Sequence, residues 1–141
     1  MSDITEPAKE ILQDFLDTPT SSKLDLLLDF AEQLPELPTQ YLDRPELLER
    51  VEECQSPVFL FTEVSNNEVH VHLTAPREAP TTRGFAAILQ RALDRQSVAS
   101  VVNFDDTFIA KLGLTDLVSP LRIRGMHGML GRIKRQVSEK A

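Results

Sequence analysis

The sequence predicts an α+β fold: a small antiparallel β-sheet packed against several α-helices, in one domain spanning residues 1–141. Two observations of pattern carry this. Apolar residues recur at helical spacing before residue 35 and again after residue 84, whereas residues 58–74 alternate with the period of a strand. A third observation is compositional. The chain has 141 residues, 41% hydrophobic and 26% charged, which suffices to bury a single core without cross-links.

Each element follows from local signals. Ala8, Ile11, Leu12, Phe15 and Leu16 fall on one face of a first helix, opened by Pro7 and broken at Thr18-Pro19-Thr20. Ser22 and Asp25 form a weak capping box before Leu24, Leu27, Leu28, Ala31 and Leu34, and Pro35 and Pro38 stop that second helix. A short helical turn is expected from Asp43 to about Val51. Val58 to Val64 and Glu68 to Thr74 then read as a hairpin around Ser65-Asn66-Asn67. Ala75 to Thr82 reads as a proline-bearing connector. Gly84-Phe85 leads into a third helix through Ile88, Leu89, Ala92 and Leu93. A short helix from Asp106 to Leu112 ends at Gly113. Ser119-Pro120 is a cap followed by proline at the first helical position, and Ile123, Met126, Leu130, Ile133 and Val137 give the last helix its buried stripe. Residues 1–10 and 138–141 are expected to fray.

Composition excludes several classes. One cysteine rules out internal disulfides, multi-cysteine zinc sites and clusters held by three or four thiolates. The apolar runs are too short to span a membrane as a helix, and Met1-Ser2-Asp3 lacks the features of a secretory signal, so a cytoplasmic, reducing compartment is expected. A net charge of −7 argues against nucleic acid as a general partner. The charge is polarised: residues 1–53 hold 4 Lys/Arg against 14 Asp/Glu, and residues 119–141 hold 6 against 1. Either the acidic helices pack beside a basic last helix, or the two poles form a docking surface that steers a partner.

Cys54 stands out as a chemical group, placed at the junction of a charged segment and the first long strand. Glu52 and Glu53 raise a thiol pKa, the wrong direction for a self-activated nucleophile, and His70, His72 and His127 lie in no hydrolase motif. An inert buried cysteine is the plain alternative. His70 and His72 share one face of a strand and, with Cys54, would offer an N/N/S metal set. The plainer reading is the wet face of a half-buried strand, so no metal site is expected. Met126 and Met129 read as core filler. Gly125, Gly128 and Gly131 each cost about 0.8–1.0 kcal/mol relative to alanine in a helix, which implies close approach of another segment, or else a kink.

Six short motifs occur in order: Gln33-Leu34-Pro35-Glu36-Leu37; Cys54-Gln55-Ser56 just before Val58; Arg83-Gly84-Phe85; Val102-Asn103-Phe104-Asp105; Leu112-Gly113-Leu114; and Ser119-Pro120-Leu121-Arg122 ahead of Gly125-Met126. Their order and spacing resemble the SufE family of sulfur acceptors, from about Ile11 to Val137. The resemblance implies the fold shared with IscU-type scaffolds. It also implies a partner of a SufS-like, pyridoxal-phosphate cysteine desulfurase, whose persulfide sulfur passes to Cys54 and on to an iron–sulfur assembly scaffold, with stimulation of the desulfurase. By the same resemblance Arg122 stabilises the thiolate or persulfide, and Glu53, Gln55 and Ser56 shape the loop. The cofactor belongs to the desulfurase and none is expected in this chain.

Two residues depart from the family pattern. Glu53 stands where glycine is common, which alters the loop backbone and adds negative charge. Arg124 stands where an asparagine-like residue is frequent, and offsets that charge if it faces the loop. A single thiol suits a relay, because a second one nearby would resolve the persulfide into a disulfide. An IscU-type scaffold, which needs several cysteine ligands, and a non-catalytic adaptor remain as alternatives.

Overall fold

The computed structural model describes residues 3–141. Thr5 caps α1 (Glu6–Asp17) by accepting a hydrogen bond from the Ala8 N–H at 3.2 Å. Ala8, Ile11 and Phe15 are buried, but Leu16, expected inside, is 75% exposed because the neighbouring helices cover a narrower stripe than its periodicity allows. A single 3-10 turn at Thr20–Ser22 leads into α2 (Lys23–Glu32), where Ser22 makes no side-chain cap. Leu27, Phe30, Ala31 and Leu34 are buried while Leu24 and Leu28 stay exposed, so the buried face is rotated from the one expected.

Between α2 and the hairpin, the expected helical turn is replaced by three small pieces. These are α3 (Thr39–Leu42), a 3-10 turn at Pro45–Leu47 and a two-residue strand, β1 (Glu49–Arg50). β1 pairs antiparallel with β2 (Phe59–Ser65), which pairs antiparallel with β3 (Glu68–Thr74), giving the order β1-β2-β3. Ser65 faces Glu68 in register, and Asn66 and Asn67 adopt φ of 53° and 63°, the left-handed pair that a two-residue hairpin turn requires. Leu60, Val69, Val71 and Leu73 point into the core.

α4 (Pro80–Leu93) begins at Pro80, so residues 80–82, expected in a connector, form its first turn with proline at the first helical position. α5 (Val98–Val102) has no counterpart in the expected elements, although its cap, the Ser97 side chain accepting from the Ser100 N–H at 3.1 Å, is a legible signal. α6 (Phe108–Lys111) is followed by Gly113 at φ 76°. α7 (Pro120–Lys140) runs unbroken for 21 residues with Ser119 as its cap. Residues 6–10 and 138–140, whose composition suggests fraying, thus lie in helices; residues 1–2 are outside the described range. Buried side chains of α1, α2, α4 to α7 and the sheet form one core, with Met126 and Met129 fully inside it.

Candidate functional site

The segment from Val51 to Val58 leaves the sheet as a loop. Its base is closed by the Val51 N–H donating to the Val58 carbonyl at 2.9 Å, and the Cys54 N–H donates to the Val51 carbonyl at 3.1 Å. This turn aims Cys54 at α7. The residue is only 7% exposed, and a Cβ added at Gly125 would lie 2.8 Å from its Sγ. Gly128 plays the same part for Glu53, since a Cβ there would lie 2.7 Å from the Glu53 carboxyl. Two of the three glycines are therefore explained by close approach of the cysteine loop. Gly131 faces open space, and nothing in the structure accounts for it.

A cavity of about 230 Å³ opens at Cys54, lined also by Gln55, Ser56, Glu78, Thr81, Thr82 and Arg122. Pro80 to Thr82 in the first turn of α4 and Leu121 and Arg122 in the first turn of α7 border it, so the N-terminal turns of two helices line the cavity that Cys54 shares. Arg122 is exposed and makes no ion pair among the described residues. The two glutamates before the cysteine have other partners: Glu52 lies 4.0 Å from Arg50, and Glu53 is taken by Arg132.

Arg132 donates from Nε and Nη2 to one Glu53 oxygen, at 3.1 and 2.9 Å, and from Nη1 to Glu49 at 2.6 Å. Glu49 also accepts from Gln136 Nε2 at 2.9 Å and pairs with Arg135. Gln136 Oε1 in turn accepts from the Thr62 N–H and hydroxyl at 2.9 and 3.0 Å, tying α7 to β2. The direct hydrogen bonds of Arg132 hold the Glu53 carboxyl below its ordinary range, with Arg124 acting only as a more distant charge. The main offsetting cation is thus Arg132, with Arg124 adding a smaller effect of the same sign. Residue 132 shares the helix face of 125 and 128, at i+7 and i+4, and that spacing was the available signal. Of the two readings of the charge poles, Arg132, Arg135 and Lys134 are absorbed in pairs with Glu49, Glu53 and Asp106, whereas Arg122 and Arg124 stay unpaired among the described residues.

Burial, joined by the Glu53 carboxylate, pushes the Cys54 thiol up to about 11, while Arg132 and Arg50 act in the opposite direction. At pH 7 on the order of one molecule in ten thousand holds a thiolate. The resting group is a protonated, sheltered thiol.

His70 and His72 border a different cavity, beside Leu34, Pro35 and Asp94. His72 Nε2 lies 2.9 Å from Glu63 and its ring stacks near Tyr41 and Phe61, while His70 Nε2 lies 3.1 Å from Glu68. Among the described residues no three His, Cys, Asp or Glu groups converge on a metal-sized site, and no helix is long and apolar enough to cross a membrane.

The model of the SufE family, described as an Fe–S metabolism associated domain, matches residues 9–137. An uncharacterized SufE-like protein of Mycobacterium tuberculosis is 48% identical over 134 residues, covering 94% of this chain and 92% of that protein. SufE-like protein 1, chloroplastic/mitochondrial, of Arabidopsis thaliana is 29% identical over 111 residues, 77% of this chain and 28% of that one. The solution structure of a hypothetical protein from Thermus thermophilus superposes with a TM-score of 0.84 at 31% identity, covering 97% of each chain. With its α+β fold and its family match over nearly the whole chain, this protein belongs to the SufE family and has its place in iron–sulfur metabolism.

Proposed function

We propose that this chain is a sulfur carrier that accepts a sulfur atom from a cysteine desulfurase onto Cys54, stimulates that enzyme by clearing its persulfide, and delivers the sulfur to iron–sulfur assembly. The observation that carries this reading is that the chain's one thiol lines a polar cavity that is also bordered by Arg122, unpaired among the described residues, and by the N-terminal turns of two helices. The Cys54 thiolate attacks the outer sulfur of the desulfurase's Cys–S–S⁻. A new S–S bond forms at Cys54, the donor's S–S bond breaks, and the desulfurase cysteine leaves as a thiolate. One S–S bond replaces another, so no external oxidant or reductant enters; the Cys54 proton passes to solvent before attack, and the leaving desulfurase thiolate can take one up afterwards.

The high resting pKa fits an acceptor better than a hydrolase. A protonated thiol resists oxidation between transfers, and the thiolate is needed only when the partner is docked. Gln55 and Ser56 line the same cavity as the sulfur, and the role assigned to Arg122, which also lines it, is to meet the negative charge of the thiolate and then of the persulfide. The desulfurase brings the pyridoxal phosphate; the proposed transfer uses no cofactor of this chain.

The test is intact-mass measurement after incubation with cysteine and a desulfurase, without reductant. A relay gains the mass of one or more sulfur atoms at Cys54, and Cys54→Ser gains none and no longer stimulates sulfide release. Stimulation by the serine variant at the wild-type level overturns the relay and favours an adaptor. Colour development with iron favours a scaffold instead.

A further inference from the structure

Glu53 and Cys54 fill successive notches on one face of α7. Gly125 leaves room for the sulfur, and Gly128, three residues on, leaves room for the carboxylate. Arg132 closes over that carboxylate with two hydrogen bonds to one oxygen, at 3.1 and 2.9 Å. The guanidinium is itself fixed from the far side by Glu49 of β1 at 2.6 Å, and Glu49 is held by Gln136 at 2.9 Å. The anchor therefore runs from the edge of the sheet, through α7, to the residue preceding the cysteine. The side chains of Arg132 and Glu53 are 22% and 31% exposed, so the pair is shielded enough to outweigh an ordinary surface salt bridge.

We propose that Glu53 and Arg132 are a positioning pair that acts as a latch: their ion pair holds the cysteine loop against α7 with the thiol turned inward, and the thiol is presented when the pair parts. Glu53 and Cys54 are adjacent, with α-carbons about 3.8 Å apart. While the carboxylate sits in the Gly128 notch, the adjoining sulfur lies against Gly125. The latch rests on the proposed relay only for its use in sulfur transfer; its existence is a property of this chain alone.

The experiment is the rate of iodoacetamide alkylation of Cys54 in the full chain at pH 8, with no desulfurase present. Arg132→Ala separates two effects of opposite sign. As a charge, Arg132 favours the thiolate, so its loss through electrostatics alone slows alkylation. As a latch, its loss frees the loop and speeds alkylation, by at least about tenfold, the factor that ~1.4 kcal/mol represents. Gly128→Ala, which expels the Glu53 carboxyl with every charge kept, is expected to speed it as well. Arg132→Lys is expected to fall between wild type and alanine, because it keeps the charge and loses the fork.

Lys9→Ala, at a remote exposed pair with Glu6, is expected to stay at the wild-type rate. The acceleration should depend only weakly on low urea, as a local opening does. A slower or unchanged rate in Arg132→Ala overturns the latch. So does an acceleration that carries the full urea dependence of global unfolding. Sulfur acceptance from a desulfurase is read separately: its failure overturns the relay and leaves the alkylation result standing.

Discussion

Replacing Gly125 by alanine places a methyl group against the cysteine sulfur, and the outcome is fixed by two terms of opposite sign. Gly125 is in the interior of α7, six residues into the helix, where alanine is favoured over glycine by about 0.8–1.0 kcal/mol. Against that gain, the new Cβ stands 2.8 Å from Cys54 Sγ, inside any tolerable contact, and overpacking of this kind costs about 1–3 kcal/mol. The next nearest atoms of Cys54, its Cα at 3.7 Å and Cβ at 3.8 Å, are at ordinary contact distance. The whole penalty therefore comes from the sulfur.

Gly125→Ala is expected to destabilise the wild-type chain, or to drive the thiol outward with a measurable rise in its alkylation rate. In a Cys54→Ala background the same substitution is expected to stabilise by about 0.8–1.0 kcal/mol, because only the helix-propensity gain remains. Urea unfolding of the four proteins of this double-mutant cycle measures both differences. The same sign in the two backgrounds, together with an unchanged alkylation rate, would refute the placement of the sulfur against α7.

Three further outcomes follow from the same geometry. Because the folded Cys54 pKa lies near 11 against an ordinary 9.0, folding is favoured by the protonated thiol below pH 9, and this contribution is lost as the pH rises towards 11. After allowance for solvent screening through the cavity, the difference between wild type and Cys54→Ser across that range is about 1–2 kcal/mol; parallel stability curves for the two from pH 8 to 11 would remove the basis for it. Arg122→Ala is expected to leave the thermal midpoint within a degree or two, since its side chain is exposed and unpaired among the described residues, while slowing single-turnover sulfur transfer by about tenfold or more. Arg122→Lys recovers part of that rate, and unchanged transfer in the alanine variant assigns Arg122 no part in the chemistry. Gly84→Ala is expected to destabilise by about 1–3 kcal/mol in chemical denaturation, because its Cβ would lie 2.6 Å from the Leu27 carbonyl oxygen, a backbone atom with little room to yield.

The helices with strong apolar stripes, and the hairpin around Asn66-Asn67, are legible from local pattern because each is set by neighbours in the chain. The misread pieces are those whose partners are distant. Glu49 and Arg50 have no strand signature of their own and become β1 only because Leu60 and Phe59 offer them an open edge. The start of α4 at Pro80 is obscured by two prolines that also mark a connector. The rotation of α2 depends on which of its leucines the neighbouring α4 covers, and residue spacing alone does not decide that.

For the site, residue order alone establishes that one thiol is available, that it stands between a charged segment and a strand, and that the succession of motifs is that of the SufE family. It also marks the glycines of the last helix as unexplained costs. What those costs serve becomes visible only in the folded chain: Gly125 and Gly128 give passage to Cys54 and Glu53, and Arg132, seventy-nine positions from Glu53, pairs with that glutamate, which stands where the family commonly has glycine. The division arises because pKa, burial and ion pairing depend on distance in space. The residues that set them here come from a loop, a strand edge and a helix face that meet only when the chain has folded.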